Sequence, residues 1–225
     1  MSIFAISDLH LSFGADKPMD IFRGWENYEE KIKNNWCRLV KEEDTVILPG
    51  DLSWALKIDE AKADFKFLND LPGKKIILKG NHDLWWGTAK KMHEFLKENG
   101  FDKIDFVFNN CIVVEDFAVC GSRGWFYDDA DKKVLLREAG RLDASLTAAR
   151  ETGFEPLVFL HYPPVYNGVV CGEIFSVLKK HGVKKVYHGH IHGAGRMGIT
   201  AENDGIMFKL VSCDSLEFTP FCIKY

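Results

Sequence analysis

Short apolar runs that each break into a turn bearing carboxylate, imidazole or amide groups recur along most of this chain, and they constrain its fold more than any other feature. Residues 2–6 run into Asp8-Leu9-His10, and 45–48 run through Pro49 into Gly50-Asp51. Residues 74–78 lead to Gly80-Asn81-His82-Asp83, 157–160 to His161, and 185–187 through His188 to Gly189-His190-Ile191-His192. Brief apolar runs bounded by turn residues read as β-strands. Between them lie segments with helical spacing. Tyr28, Ile32, Trp36, Leu39 and Val40 predict a helix over about 26–41, and Ala61, Phe65 and Leu68 predict the next. Thr88 caps a third helix carrying Met92, Phe95 and Leu96, with Gly100 as its stop. Leu135, Ala139, Leu142, Leu146 and Ala149 place a long helix over about 131–151, and Ile174, Val177 and Leu178 one that Gly182 closes. Strands alternating with helices make a layered α/β domain. In such a sheet, ligands bind at the carboxyl ends of the strands, where each of these turns falls.

The rest of the pattern fits one domain spanning residues 1–225. Residues 111–114 and 117–120 flank Glu115-Asp116 as a hairpin. Residues 206–211 and 217–223 read as two further strands, and residues 11–25 as a long polar and aromatic loop. A loop of that length without structure of its own is usually functional or mobile. Hydrophobic residues make up 46% of the chain, enough for a substantial core. No apolar run approaches the roughly 18 residues of a membrane span. The start Met1-Ser2-Ile3-Phe4 carries no signal-peptide pattern, so a cytoplasmic protein without membrane association is expected. The six cysteines form no C-x-x-C pair, and most are expected as small core residues. The net charge is −4 and the lysines occur in scattered pairs, so no basic face for long nucleic acid is visible.

Carboxylate oxygen, imidazole nitrogen and amide oxygen gathered at strand ends are the donors that hard and borderline cations prefer. The ordered blocks Asp8-x-His10, Gly50-Asp51, Gly80-Asn81-His82-Asp83, His161 and Gly189-His190-x-His192 resemble the calcineurin-like metallophosphoesterases, matched without a gap from residue 8 to residue 192. The resemblance implies two packed mixed β-sheets flanked by helices, a four-layer sandwich. It also implies two divalent or trivalent metal ions, with Mn, Fe, Zn and Co all suited to mixed nitrogen and oxygen ligands. By the same resemblance, one ion takes Asp8, His10 and His192, the other takes Asn81, His161 and His190, and Asp51 bridges them. Read as an extended segment, Asp8 and His10 at i and i+2 point to one side. Such a site hydrolyses phosphomonoesters or phosphodiesters with hydroxide from a shared water.

His82 lies beside Asn81 but outside the family's ligand set, which makes it the candidate general acid for the leaving oxygen. Asp83 is either the carboxylate that orients or charge-stabilises His82 or an exposed turn residue. His188 reads as structural. Where the protein Ser/Thr phosphatases carry an acid and an arginine, Gly50-Asp51-Leu52-Ser53-Trp54-Ala55 has Trp54 and Ala55, which points to the phosphodiesterase branches instead. Aromatics crowd the strand-end loops (Phe13, Trp25, Trp54, Trp85, Trp86, Trp125, Phe126 and Tyr127) and suit either stacking on a base or packing over the cleft. Trp54 is the substrate-binding candidate among them. Arg123 follows a strand in Gly121-Ser122-Arg123-Gly124-Trp125, placed to clamp a phosphate or to pair with a surface carboxylate. A small phosphoester, with nucleotides among the candidates, is the expected partner. A nuclease of the same site type and a catalytically weak metal-binding scaffold are the alternatives.

Overall fold

The computed structural model describes residues 1–125, 131–194 and 200–224. β1 (Ile3–Ala5), α1 (Tyr28–Leu39), β2 (Thr45–Pro49), α2 (Lys62–Asp70), β3 (Lys74–Leu78), α3 (Ala89–Asn99) and β4 (Ile104–Phe106) alternate strand and helix. A hairpin of β5 (Cys111–Val114) and β6 (Phe117–Ser122) leads to α4 (Lys132–Glu151) and β7 (Glu155–Leu160). After a small hairpin of β8 (Val165–Tyr166) and β9 (Val169–Val170) come α5 (Gly172–Lys180) and β10 (Lys185–His188). β11 (Thr200–Asn203), β12 (Ile206–Leu210) and β13 (Phe221–Lys224) complete the series.

Two mixed sheets result, in the orders β13-β1-β2-β3-β4 and β11-β12-β10-β7-β6-β5. β1 to β4 run parallel, with β13 antiparallel at the edge. β12, β10, β7 and β6 are likewise parallel, with β11 and β5 antiparallel outside them. Period-two alternation divides each strand between two cores. Phe4, Ile6, Val46 and Leu48 face Ile32, Trp36, Phe65 and Met92 in the helical layer of the first sheet. Ile3, Ala5 and Ile47 face the other way, meeting Val119, Leu157, Phe159 and Tyr187 of the second sheet. α4 and α5 cover the far side of that sheet through Leu142, Leu146, Ile174 and Leu178. The architecture is therefore four layers, helix–sheet–sheet–helix, and the near-continuous apolar strands are apolar because both their faces are covered.

The helices begin and end where local chemistry directs. Thr88 caps α3 by accepting from the Lys91 N–H, and Gly100 ends it in a left-handed conformation. Asp131 caps α4 through the Lys133 N–H. The expected strand over 217–223 is shorter, starting at Phe221, because Glu217 and Phe218 adopt φ of 52° and 56°. That turn carries the Phe218 ring under Trp25, with centroids 5.3 Å apart. β4 and β11 escaped the pattern because they are edge strands with polar residues in the run: Asp105 is exposed and Thr-Ala-Glu-Asn carries no large apolar side chain. Among the described residues no helix is long and apolar enough to cross a membrane.

Candidate metal centre

Parallel strands deliver their carboxyl ends to one edge of a sheet, and this sandwich brings two such edges together. Asp8 follows β1, Asp51 follows β2, Asn81 follows β3, His161 follows β7 and His190 follows β10. The loops brace each other through main-chain hydrogen bonds. Asp8 N donates to Gly50 O at 3.0 Å, His10 N to Asp51 O at 3.0 Å, and Gly189 N to His161 O at 3.1 Å.

The backbone at these positions is unusual. Asp8, His10, Asp51 and His190 have φ of 57°, 47°, 51° and 73°, a left-handed region rare for residues with a side chain. Such strain persists only where the surroundings over-determine it, and it clusters at functional sites. The extended geometry expected for Asp8 and His10 is thereby corrected: the two share a cleft through consecutive left-handed turns, not through a strand period. Gly80 and Gly189 serve close approach. A Cβ on Gly80 would strike the Asp51 carboxylate, and one on Gly189 would strike Ser7 Oγ and the Asp8 carboxylate. The tightness is loop against loop.

Two triads gather ligand atoms within 4.8 Å of one another, Asp8 with His10 and His192, and Asp51 with His161 and His190. Asn81 joins the second: its Oδ1 is 2.7 Å from His161 Nε2 and 3.0 Å from His190 Nδ1. Asp51 Oδ2 faces both groups, 3.9 Å from His10 Nε2 and 3.4 Å from His161 Nε2. In the first triad His10 Nε2 and His192 Nε2 face each other at 3.2 Å.

The protonation states fit cation ligands. Burial pushes His10 down to about 3 and His190 to about 4, so both rings are neutral at pH 7 with a lone pair to offer. Burial also opposes charge on His161, yet Asp51 beside it outweighs burial and raises the ring to about 9. His161 Nδ1 lies 3.0 Å from Pro49 O, which suits a proton on that nitrogen and directs Nε2 at Asn81 and Asp51. The proton on Nε2 therefore occupies a place where a cation can sit. Burial raises Asp51, but the His161 charge and hydrogen bond overcome it and hold the carboxylate well below the usual range. The donor set therefore fits hard or borderline cations.

Several supporting groups carried no motif of their own. Asp8 Oδ2 accepts from Ser7 Oγ and, at 2.9 Å, from Ser212 Oγ, while the His190 N–H reaches Asp8 Oδ1 at 3.0 Å. Asp214 lies 3.1 Å from His192 Nδ1 and accepts from the Gly193 N–H at 2.8 Å. The only sequence signal for Asp214 was its place just past a strand. A carboxylate on the far nitrogen of a ligating histidine orients the ring and raises its basicity. Asp214→Ala is expected to weaken cation binding at Asp8, His10 and His192 by about tenfold or more, with a smaller effect on the second triad. Metal titration of the EDTA-stripped variant checks this, and two unchanged binding steps would remove the orienting role.

Asp83 is no exposed turn residue, and its hydrogen bonds go to main-chain N–H groups. It is fully buried, and its carboxylate accepts from the N–H groups of Asp51 at 2.9 Å, Leu52 at 2.9 Å and Gly80 at 2.7 Å. It ties the Asp51 loop to the Asn81 loop, and among the described residues no hydrogen bond links it to the His82 ring. Burial and the nearby Asp51 charge push it up to about 7. His82 is half-buried, its N–H donating to Asp51 Oδ1 at 2.8 Å and its ring 4.3 Å from that of Trp54. Trp54 also stacks on His10 at 4.8 Å. Arg123 pairs with Glu138, a buried carboxylate, and lies 4.2 Å over the Trp125 ring. His188 is buried with Nδ1 against Gly189 O.

Most of the strand-end aromatics pack. Trp85 is in the core, Trp25 lies against His192 and Tyr28, and Phe13 rests on Phe67. Phe126 and Tyr127 lie outside the described residues.

The family pattern described as calcineurin-like phosphoesterase matches residues 1–194. No curated protein matches the chain. A solved protein of unknown function from Aquifex aeolicus is 20% identical, covers 98% of this chain and 95% of its own, and superposes with a TM-score of 0.51. A solved protein of Thermus thermophilus is 14% identical over 99% of this chain and 97% of its own, with a TM-score of 0.60. At these identities the likeness concerns the fold.

Proposed function

The chain belongs to the calcineurin-like phosphoesterases, and on that footing we propose that it hydrolyses a small phosphoester with two cations held on either side of Asp51. The observation that carries this reading is the convergence of Asp8, His10 and His192 on one face of Asp51 and Asn81, His161 and His190 on the other. Two cations there supply Lewis acidity toward the phosphate oxygens and a water acidic enough to attack near neutral pH. Every other contribution comes from the chain itself. Asp51 turns Oδ2 toward both sites, and Asn81 adds a neutral donor that limits the negative charge. Pro49 O and Asp214 keep the far nitrogens of His161 and His192 engaged, so the other ring nitrogens stay aimed inward.

His82 is the proposed general acid. It stands half-exposed beside His10, with ring centroids 5.6 Å apart, where a proton on its ring can pass to the departing oxygen. Trp54 holds that ring and the His10 ring together and forms part of the substrate wall. A groove of about 490 Å³ opens beside His192, walled by Phe22, Trp25 and Phe218 with Arg23 at its side. It suits an apolar or aromatic leaving group.

The test is reconstitution of stripped protein with Mn, Fe, Zn or Co, followed by elemental analysis and turnover of phosphomonoesters, phosphodiesters, cyclic nucleotides and oligonucleotides. Close to two ions per chain and turnover of a small ester are expected. A stoichiometry that never exceeds one overturns the two-cation reading. Preference for oligonucleotides with steep salt dependence would make the protein a nuclease, and absence of any turnover would make it a scaffold.

A further inference from the structure

On the flank of the metal centre away from His192, the carboxyl ends of β3, β4 and β6 and one side of α4 enclose a cavity of about 220 Å³. Lys79, Arg123, Arg141 and Glu138 all line it. Glu138 has no exposed side-chain surface, and a single oxygen of it serves both arginines. Its Oε1 accepts from Arg141 Nη1 at 2.6 Å and from Arg123 Nη2 at 3.3 Å. Glu138 Oε2 and Arg123 Nε are buried without a hydrogen-bond partner among the described residues. Lys79, half-buried, adds a third cation. Asp83 is the further carboxylate within Lys79's electrostatic reach, and it is already committed to main-chain N–H groups. Lys79, Arg123 and Arg141 therefore outnumber the two carboxylates near them, in a wall that Trp86 and Phe108 make partly apolar.

We infer that this cavity is an oxyanion subsite that holds the non-scissile phosphate of a doubly phosphorylated substrate. The excess of positive charge matches a phosphate, and guanidinium forks match its geometry. Position ties it to the reaction. Lys79 is two residues from Asn81, so their Cα atoms are at most about 7 Å apart. The Arg123 carbonyl accepts the His161 and Tyr162 N–H groups at 3.1 and 2.9 Å. The substrate role rests on the phosphoesterase reading, whereas phosphate binding rests on the cavity alone.

Two measurements separate these parts. Calorimetric titration of the metal-stripped protein with inorganic phosphate reads the cavity without cations. One binding site is expected, weakened at least tenfold in Arg141→Ala, partly restored in Arg141→Lys, and weakened in Lys79→Gln, which leaves the Glu138 pairs intact. The metal-loaded protein is then assayed on a p-nitrophenyl ester of thymidine 5′-phosphate with and without a 3′-phosphate. The kcat/KM ratio should favour the 3′-phosphorylated ester at least tenfold and fall toward one in Arg141→Ala. Absence of phosphate binding in the stripped wild type, or equal binding in Arg141→Ala and Lys79→Gln, overturns the site. Phosphate binding that depends on Arg141, with an unaltered substrate ratio, overturns the subsite and leaves a site for free phosphate. If neither ester turns over, the phosphoesterase reading fails and takes the substrate role with it, while the calorimetry still decides the cavity.

Discussion

Asp51→Asn should strip the protein of both ions and lower turnover by at least about 100-fold. Changes to groups that merely support a ligand cost roughly 10–100-fold in metal affinity or activity, and Asp51 is a shared ligand. Its Oδ2 lies 3.4 Å from His161 Nε2 and 3.9 Å from His10 Nε2, so one oxygen faces both triads. An asparagine keeps the volume but not the charge, and its amino group would turn a donor toward ring nitrogens that need to meet a cation. It also removes the charge that raises His161 to about 9. The Asp51 N–H contact to Asp83 involves only backbone on this side, so the loop itself should hold. The check is elemental analysis and turnover after reconstitution with excess Mn. Wild-type activity with two retained ions would end the bridging assignment.

His82→Ala should leave both ions bound and lower turnover of esters with poor leaving groups by about 10²–10⁴-fold, the usual contribution of a positioned general acid. The ring is no part of either triad, and only its main-chain N–H touches Asp51. An alanine keeps that N–H. A p-nitrophenyl phosphodiester hardly needs its departing phenolate protonated, so its rate should fall much less. The ratio of the two losses is the decisive quantity. Equal losses would make His82 a positioning group for substrate, and lost metal would make it structural.

Asp83 shows where local reading stops. Its neighbour His82 suggested a partnership along the chain, but a buried carboxylate needs donors, and the nearest were the N–H groups of Asp51, Leu52 and Gly80. Two of those belong to a loop some 30 residues away, and only β2 pairing in parallel with β3 puts them there. Arg123 is a similar case. The chain offered a phosphate or a carboxylate as its partner, and the fold supplied Glu138, fully buried on α4, with a cavity alongside. Asp214 had no motif because its partners, His192 and the Gly193 N–H, lie more than 20 residues earlier in the chain.

Taken by itself, the sequence determined the alternation of strand and helix, the helix caps at Thr88 and Gly100, and the strand-end placement of Asp8, Asp51, Asn81, His161 and His190. Those follow from hydrophobic period and turn chemistry, which act over a few residues. Periodicity left the second sheet open, and the family resemblance implied it; the tertiary structure shows how its β7 and β10 ends meet the β1, β2 and β3 ends. It also decided that the ligand turns are left-handed, and which buried groups hold the ligands in place. These depend on contacts between segments far apart in the chain. There, close packing and the need to satisfy every buried polar group choose the partner.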